Sequence, residues 1–212
     1  MSFKRTRAIN KLLRMKKRKK IIQGGTWAGK TFGIIPIMTD KATKVAGREM
    51  TVVAETIPAV KKGAMHDFIK FMQMTKRWNE NSWNATDRKY TFANGSYIEF
   101  QAFDTLGKAK QAGKRTDLFM NEAQYIAFEI ADALMTRTTG DIWIDFNPTL
   151  EFWAHKEVMP QDDAGFLLLK YTDNDACPQT VKDDLNYKLK KAYLDPEANR
   201  KDLANIKNKY WH

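Results

Sequence analysis

Eight consecutive residues, Gly24, Gly25, Thr26, Trp27, Ala28, Gly29, Lys30 and Thr31, have the types and spacing of a phosphate-binding loop. The pattern is Gly-x4-Gly-Lys-Thr, set between a short apolar stretch and an apolar helix-like stretch. Glycines let the backbone N–H groups wrap a β-phosphate, and the helix behind the loop points its positive end at the same group. Lys30 then reaches the β- and γ-phosphates, and the Thr31 hydroxyl is a ligand for Mg²⁺. The ligands expected are therefore ATP and Mg²⁺. Trp27 is an unusual resident of such a loop, and its expected work is packing against a neighbouring segment.

Hydrolysis needs an acidic element on another strand. The apolar stretch Leu118-Phe119-Met120 runs into Asn121-Glu122. Glu122 is expected to orient and polarise the attacking water; the alternative is an acid that stabilises a helix N-terminus. Asn121 stands where an aspartate is usual. Its amide can hold a metal-bound water but brings no charge, so the ion would rest mainly on Thr31 and the phosphates. A third polar cluster, Asp145, Asn147 and Thr149, ends the apolar run 141–146. In a parallel sheet such strand ends meet at the ligand crevice, where Asn147 would sense the γ-phosphate; the alternative is plain Asn-Pro turn chemistry. Gln23 is the nearest guess for a contact to adenine.

These residues need a scaffold. Apolar, β-branched runs predict strands at 21–23, 50–54, 118–120, 141–146 and 166–171. Helices are predicted at 3–14, 31–43, 58–77, 128–137, 152–158, 178–193 and 196–210, with Pro36 expected to kink the second. Alternating runs on either side of Asn94-Gly95 predict a hairpin over 89–100, and 104–116 reads as a basic surface loop with at most one helical turn. Strands that alternate with helices imply an α/β fold, with a mostly parallel sheet covered on both faces and the hairpin as an insertion. The chain reads as one ATPase domain over 1–212, with a basic lead-in over 1–20 and a helical extension over 172–212.

The formal net charge is +11. It favours a polyanionic partner, nucleic acid before an acidic membrane surface. From Met1 to Arg48 fourteen Lys or Arg face one acid, Asp40, and the densest run is Lys16-Lys17-Arg18-Lys19-Lys20. That run reads equally as a footprint for phosphate backbone or as a solvated lead-in to the next strand. The three histidines are far apart and the single cysteine is Cys177. A structural zinc site and an intramolecular disulfide are not expected. No apolar run is long enough to cross a membrane.

The combination of the glycine loop, Glu122-Ala123 behind an apolar strand, and Phe146-Asn147-Pro148 resembles the ATPase domain of bacteriophage large terminases. The segments Tyr171-Thr172-Asp173-Asn174, Leu194-Asp195-Pro196 and Tyr210-Trp211 agree with the end of that domain. The resemblance implies a P-loop NTPase of the RecA/ASCE type that hydrolyses ATP to drive double-stranded DNA into a capsid. It implies a catalytic role for Glu122 and a coupling role for the segment around Asn147. It also implies a portal protein and a small terminase subunit as partners, a homo-oligomeric ring when active, and the cytoplasm of an infected bacterium as location. Large terminases usually carry a nuclease domain, and no late acidic cluster suggests one here. Thr26 and Trp27 stand where many relatives have an arginine, and Glu55 where they often have a basic residue. A motor ring also needs an arginine finger. Arg115 is the first candidate, acting on a neighbouring subunit, and Arg137 the second; DNA contact or solvation is the alternative for Arg115. A helicase-like ATPase, or a non-catalytic DNA-binding protein with a degenerate ATP site, are the competing functions.

Overall fold

The structure, a computed structural model, describes residues 5–148 and 151–194. α1 (Arg7–Leu13) is capped by Thr6, whose hydroxyl accepts from the Ile9 N–H. β1 (Lys19–Gly24) runs into the glycine loop and α2 (Lys30–Lys44) leaves it. β2 (Glu49–Ala54) follows. Next comes one bent helical segment: α3 (Ile57–Val60), a π-turn at Lys61–Met65 and α4 (His66–Met74). β3 (Trp83–Asn84), β4 (Lys89–Thr91) and β5 (Tyr97–Ala102) precede α5 (Leu106–Gln111). β6 (Asp117–Met120), α6 (Phe128–Thr136), β7 (Ile142–Phe146), β8 (Ala164–Leu169) and α7 (Gln179–Leu194) complete the described chain.

Among the described residues the strands form one sheet in the order β3-β4-β5-β2-β6-β7-β1-β8. From β5 to β8 every neighbouring pair is parallel. The strand that ends in Asp145-Phe146 therefore lies between the glycine-loop strand and the strand that leads to Glu122. Side chains alternate across each strand. Ile22, Val52, Phe119 and Trp143 face a core shared with α1, α2 and α4. Ile21, Val53, Leu118 and Ile144 face a second core under α5 and α6. β1, β2, β6 and β7 are buried over almost their whole length, which explains why they read as unbroken apolar runs. A Cβ on Gly33 would stand 2.6 Å from Leu12 Cδ1, so α1 lies close against the helix that carries Lys30 and Thr31.

Several elements differ from their sequence reading. The hairpin pairs as expected, with Tyr90 opposite Ile98, but β5 also pairs in parallel with β2. The hairpin thus extends the main sheet beyond β2, with β3 outermost. α2 stays one helix through Pro36, because its buried face (Ile34, Ile35, Met38) is held on the sheet and packing outweighs one lost backbone bond. The expected helix over 58–77 is interrupted by the π-turn at Gly63, and the loop over 104–116 contains α5, capped by Thr105. The basic run is largely committed inside the molecule. Arg18 and Lys19 pair with Asp163, Lys20 pairs with Asp141, and Lys17 donates to the carbonyl of Asp162. These contacts make Arg18, Lys19 and Lys20 anchors of β1, while Lys16 and Lys17 are exposed. Thr149, the closing Tyr210-Trp211 and the expected helix over 196–210 lie outside the described residues.

Candidate nucleotide site

The parallel strand ends open onto a cleft of about 640 Å³ beside the glycine loop. Gly25, Thr26, Trp27, Gly29, Lys30 and Thr31 line it from the loop, and Glu122 and Asn147 from the ends of β6 and β7. Gly24 and Ala28 are buried beneath the loop. Gly29 needs its lack of a side chain: it has φ +79°, and a Cβ there would stand 3.3 Å from Asn174 Cγ. Trp27 also has positive φ, 70°, and the residue is 46% exposed. It does not pack as expected. The loop is instead held through the Trp27 carbonyl, which accepts from Asn174 Nδ2 at 2.9 Å.

Lys30 is 9% exposed, and its Nζ donates to the Gly24 carbonyl at 2.5 Å and to Asn147 Oδ1 at 2.9 Å. Burial pushes its ammonium below the ordinary lysine range, against the pull of Asp145 and Glu122. Next to it, Thr31 Oγ1 donates to Asp145 Oδ2 at 3.1 Å. Asn121 Nδ2 reaches both Thr31 Oγ1, at 3.2 Å, and Asp145 Oδ1, at 3.0 Å. The structure thus brings Asn121 to Thr31 through its amide nitrogen, a donor, whereas a metal ligand needs an acceptor. Glu122 follows in a left-handed turn, φ 54° and ψ 50°, which is costly for a residue with a side chain. Its backbone N–H is tied to Asp145 Oδ1 at 2.8 Å, and its carboxylate is exposed to the cleft. α4 supplies the opposite wall with Asp67, Lys70 and Met74. Burial pushes the Asp67 carboxyl above the usual range, against His66 and Lys70, and Asp145 adds to the rise.

This arrangement has counterparts among solved structures. The large terminase of a thermophilic bacteriophage superposes with a TM-score of 0.72 at 16% identity, over 86% of this chain and 50% of that one. The complex of that terminase with ADP superposes with a TM-score of 0.68 at 18% identity, over the same shares of 86% and 50%. The large terminase ATPase domain of Thermus phage P74-26 gives a TM-score of 0.62 at 12% identity, over 92% of this chain and 90% of that one. The chain has the large-terminase ATPase fold. It spans about half the length of the thermophilic-phage terminase it matches. A comparison with protein-family models finds no match. Curated proteins give no significant match either.

Within the terminase ATPase fold two sequence expectations land elsewhere. Arg115 precedes β6, at the end opposite Glu122, and the four residues of β6 with the extended chain on either side put roughly 20 Å between them. It is 4% exposed, and its Nη2 donates to the Gly113 carbonyl at 2.8 Å. Such burial leaves no guanidinium for a neighbouring subunit, so Arg115 is not placed to act as an arginine finger. Arg137 caps α6 at the same far end, where its carbonyl accepts from the Arg115 N–H. Gln23 is fully buried and does not line the cleft. Conversely, Asp67 and Lys70 line the cleft although no local pattern marks them, and Asn174, noted in the sequence only as part of the resemblance near the end of the domain, lines it too. They arrive from α4 and from the segment after β8, far from the loop in sequence.

Proposed function

We propose that this chain is the ATP-hydrolysing motor domain of a phage large terminase, which drives double-stranded DNA into a procapsid. The observation that carries the reading is the convergence of Lys30, Thr31, Glu122 and Asn147 on one cleft, from three neighbouring parallel strands. The complexes of the thermophilic-phage terminase with ADP and with ATP-γ-S support nucleotide as the ligand. Backbone N–H groups from Gly25 to Thr31 would hold the phosphates, and Lys30 would turn from its carbonyl and Asn147 partners to the β- and γ-phosphates. The oxygen donors around Thr31 are hard ligands that fit Mg²⁺, which usually binds one or two carboxylates plus substrate phosphates. When bound, the ion would neutralise charge on the phosphates.

Glu122 is the general base or water-positioning group in this reading, held by its tied N–H with the carboxylate free to face a water. Asn147, hydrogen-bonded to Lys30 across the cleft, would report the γ-phosphate to β7 and the segment behind it. Double-stranded DNA, a portal protein, a small terminase subunit and further copies in a ring are the proposed partners, in the cytoplasm of an infected bacterium. Among the described residues no helix is long and apolar enough to cross a membrane.

The test is ATP turnover by the chain and by Glu122→Gln, with binding of a non-hydrolysable ATP analogue measured alongside. Turnover should fall by about 10²–10⁴-fold while binding survives. Undiminished turnover in the variant would refute the assigned role. Movement along duplex DNA without strand separation supports packaging; unwinding would point to a helicase instead.

A further inference from the structure

Position 121 has no acid, yet the cleft is not without one. Asp145, next to last in β7, is fully buried between β1 and β6. Its Oδ2 accepts from the Thr31 hydroxyl at 3.1 Å. Its Oδ1 accepts from Asn121 Nδ2 at 3.0 Å and from the Glu122 N–H at 2.8 Å. All three donors are neutral. A buried carboxylate is costly unless its charge is met by another, and neutral donors meet only its lone pairs. The nearby Lys30 ammonium offsets part of that charge; once Lys30 turns to the phosphates, as in the reading above, a divalent cation at Thr31 would meet it.

We propose that Asp145, acting through the Thr31 hydroxyl, supplies the carboxylate of the magnesium site that position 121 lacks, and that Asn121 is the amide that orients it. The inference rests on the nucleotide-site reading above. By donating its proton to Asp145, the Thr31 hydroxyl keeps an oxygen lone pair for the cation, so the carboxylate acts on the ligand from behind, as partners of metal ligands generally do. The polarity of Asn121 agrees. Its Nδ2 is turned to the carboxylate and its Oδ1 to the π-turn, where a Cβ on Gly63 would stand 3.0 Å away. An aspartate at both 121 and 145 would place two carboxylates within hydrogen-bonding distance, where one is driven to keep its proton. One acid and one amide are what this pocket accommodates. Because Asp145 also holds the Glu122 N–H, the same carboxylate ties the cation side of the site to the catalytic turn.

The test compares the wild-type chain, Asp145→Asn and the exchange Asn121→Asp/Asp145→Asn. Mn²⁺ affinity in the presence of ATP-γ-S is read by electron paramagnetic resonance. ATP-γ-S affinity with Mg²⁺ is divided by that in EDTA, so a general loss of nucleotide binding cancels. Asp145→Asn should lower Mn²⁺ affinity by about 10–100-fold and shrink the Mg²⁺ gain in proportion, and the exchange should recover most of both. Unchanged Mn²⁺ affinity in Asp145→Asn, or an exchange variant that melts normally yet recovers nothing, would overturn the inference. No binding of ATP-γ-S by the wild-type chain under either condition would instead sink the nucleotide-site reading, and this inference with it.

Discussion

The glycine loop is held in shape by a residue far along the chain, and that hold can be measured. Trp27 carries a left-handed backbone, φ 70°, which costs a residue with a side chain about 1–2 kcal/mol. The loop adopts it because Asn174, just after the turn Tyr171–Asp173, donates Nδ2 to the Trp27 carbonyl at 2.9 Å and packs beside Gly29. The asparagine is itself fixed, since its Oδ1 accepts from the Ala176 N–H at 3.1 Å. Asn174→Ala removes one well-oriented hydrogen bond, about 1 kcal/mol net, together with the contact at Gly29. The phosphate-binding shape then becomes a smaller share of the loop's population. With a tenfold change for each ~1.4 kcal/mol, nucleotide affinity should fall about five- to tenfold. Titration with a fluorescent ATP analogue reads this directly, and the loss should be equal with and without Mg²⁺, because Asn174 does not touch Thr31 or Asp145. A change below about twofold in a normally folded variant would refute the claim that Asn174 holds the loop.

At the far end of the sheet, Asp117 is 1% exposed and meets Lys41, Arg48 at 3.6 Å and the Thr116 hydroxyl at 2.8 Å. Asp117→Ala strips a partner from two cations and should cost about 3 kcal/mol, the low end for a broken buried pair because Lys41 keeps Asp141 at 2.8 Å. In thermal melts that is a fall of roughly 6–12 °C for a chain of this size; a shift under ~2 °C would show the network to be dispensable. Asp67 makes the opposite prediction. Its folded pKa is raised by burial, so its ionised form is disfavoured in the folded state, and stability rises as pH falls through that pKa. Asp67→Asn should therefore melt higher than wild type at pH 7–8, and the gap should close on acidification; a pH-independent gap would contradict it. Asp141 is held below the usual range by Lys20 and Lys41, although burial alone would raise it. Its contribution is present above the ordinary aspartate pKa of about 3.9 and lost as pH falls through the folded value. Asp141→Asn should accordingly be less stable than wild type at neutral pH and lose that deficit in acid, as followed by urea unfolding at each pH.

What could be read from the sequence tracks how local the chemistry is. The glycine loop and Glu122 were legible because each is written in adjacent residues with an apolar strand before it. The hairpin was legible as a pairing, since Asn94-Gly95 fixes a turn, but not as an extension of the main sheet, because the parallel partner β2 lies far upstream. Arg115 looked exposed among lysines and glycines; its burial depends on how the segment before β6 meets the end of α6, which no neighbouring residue announces. Asn121 shows the same limit from the other side. Read along the chain, it is a site with its acid missing. Read across the sheet, the acid stands on the next strand, 24 residues later, hydrogen-bonded to that same amide. The strand order makes this possible: β7 lies between β1 and β6, so the ends of β6 and β7 both face Thr31. The chemistry needs one carboxylate at that point, and the fold does not dictate which of the two strands must carry it. A missing acid in a one-dimensional motif is therefore weak grounds for a dead site until the neighbouring strand has been read in register with it.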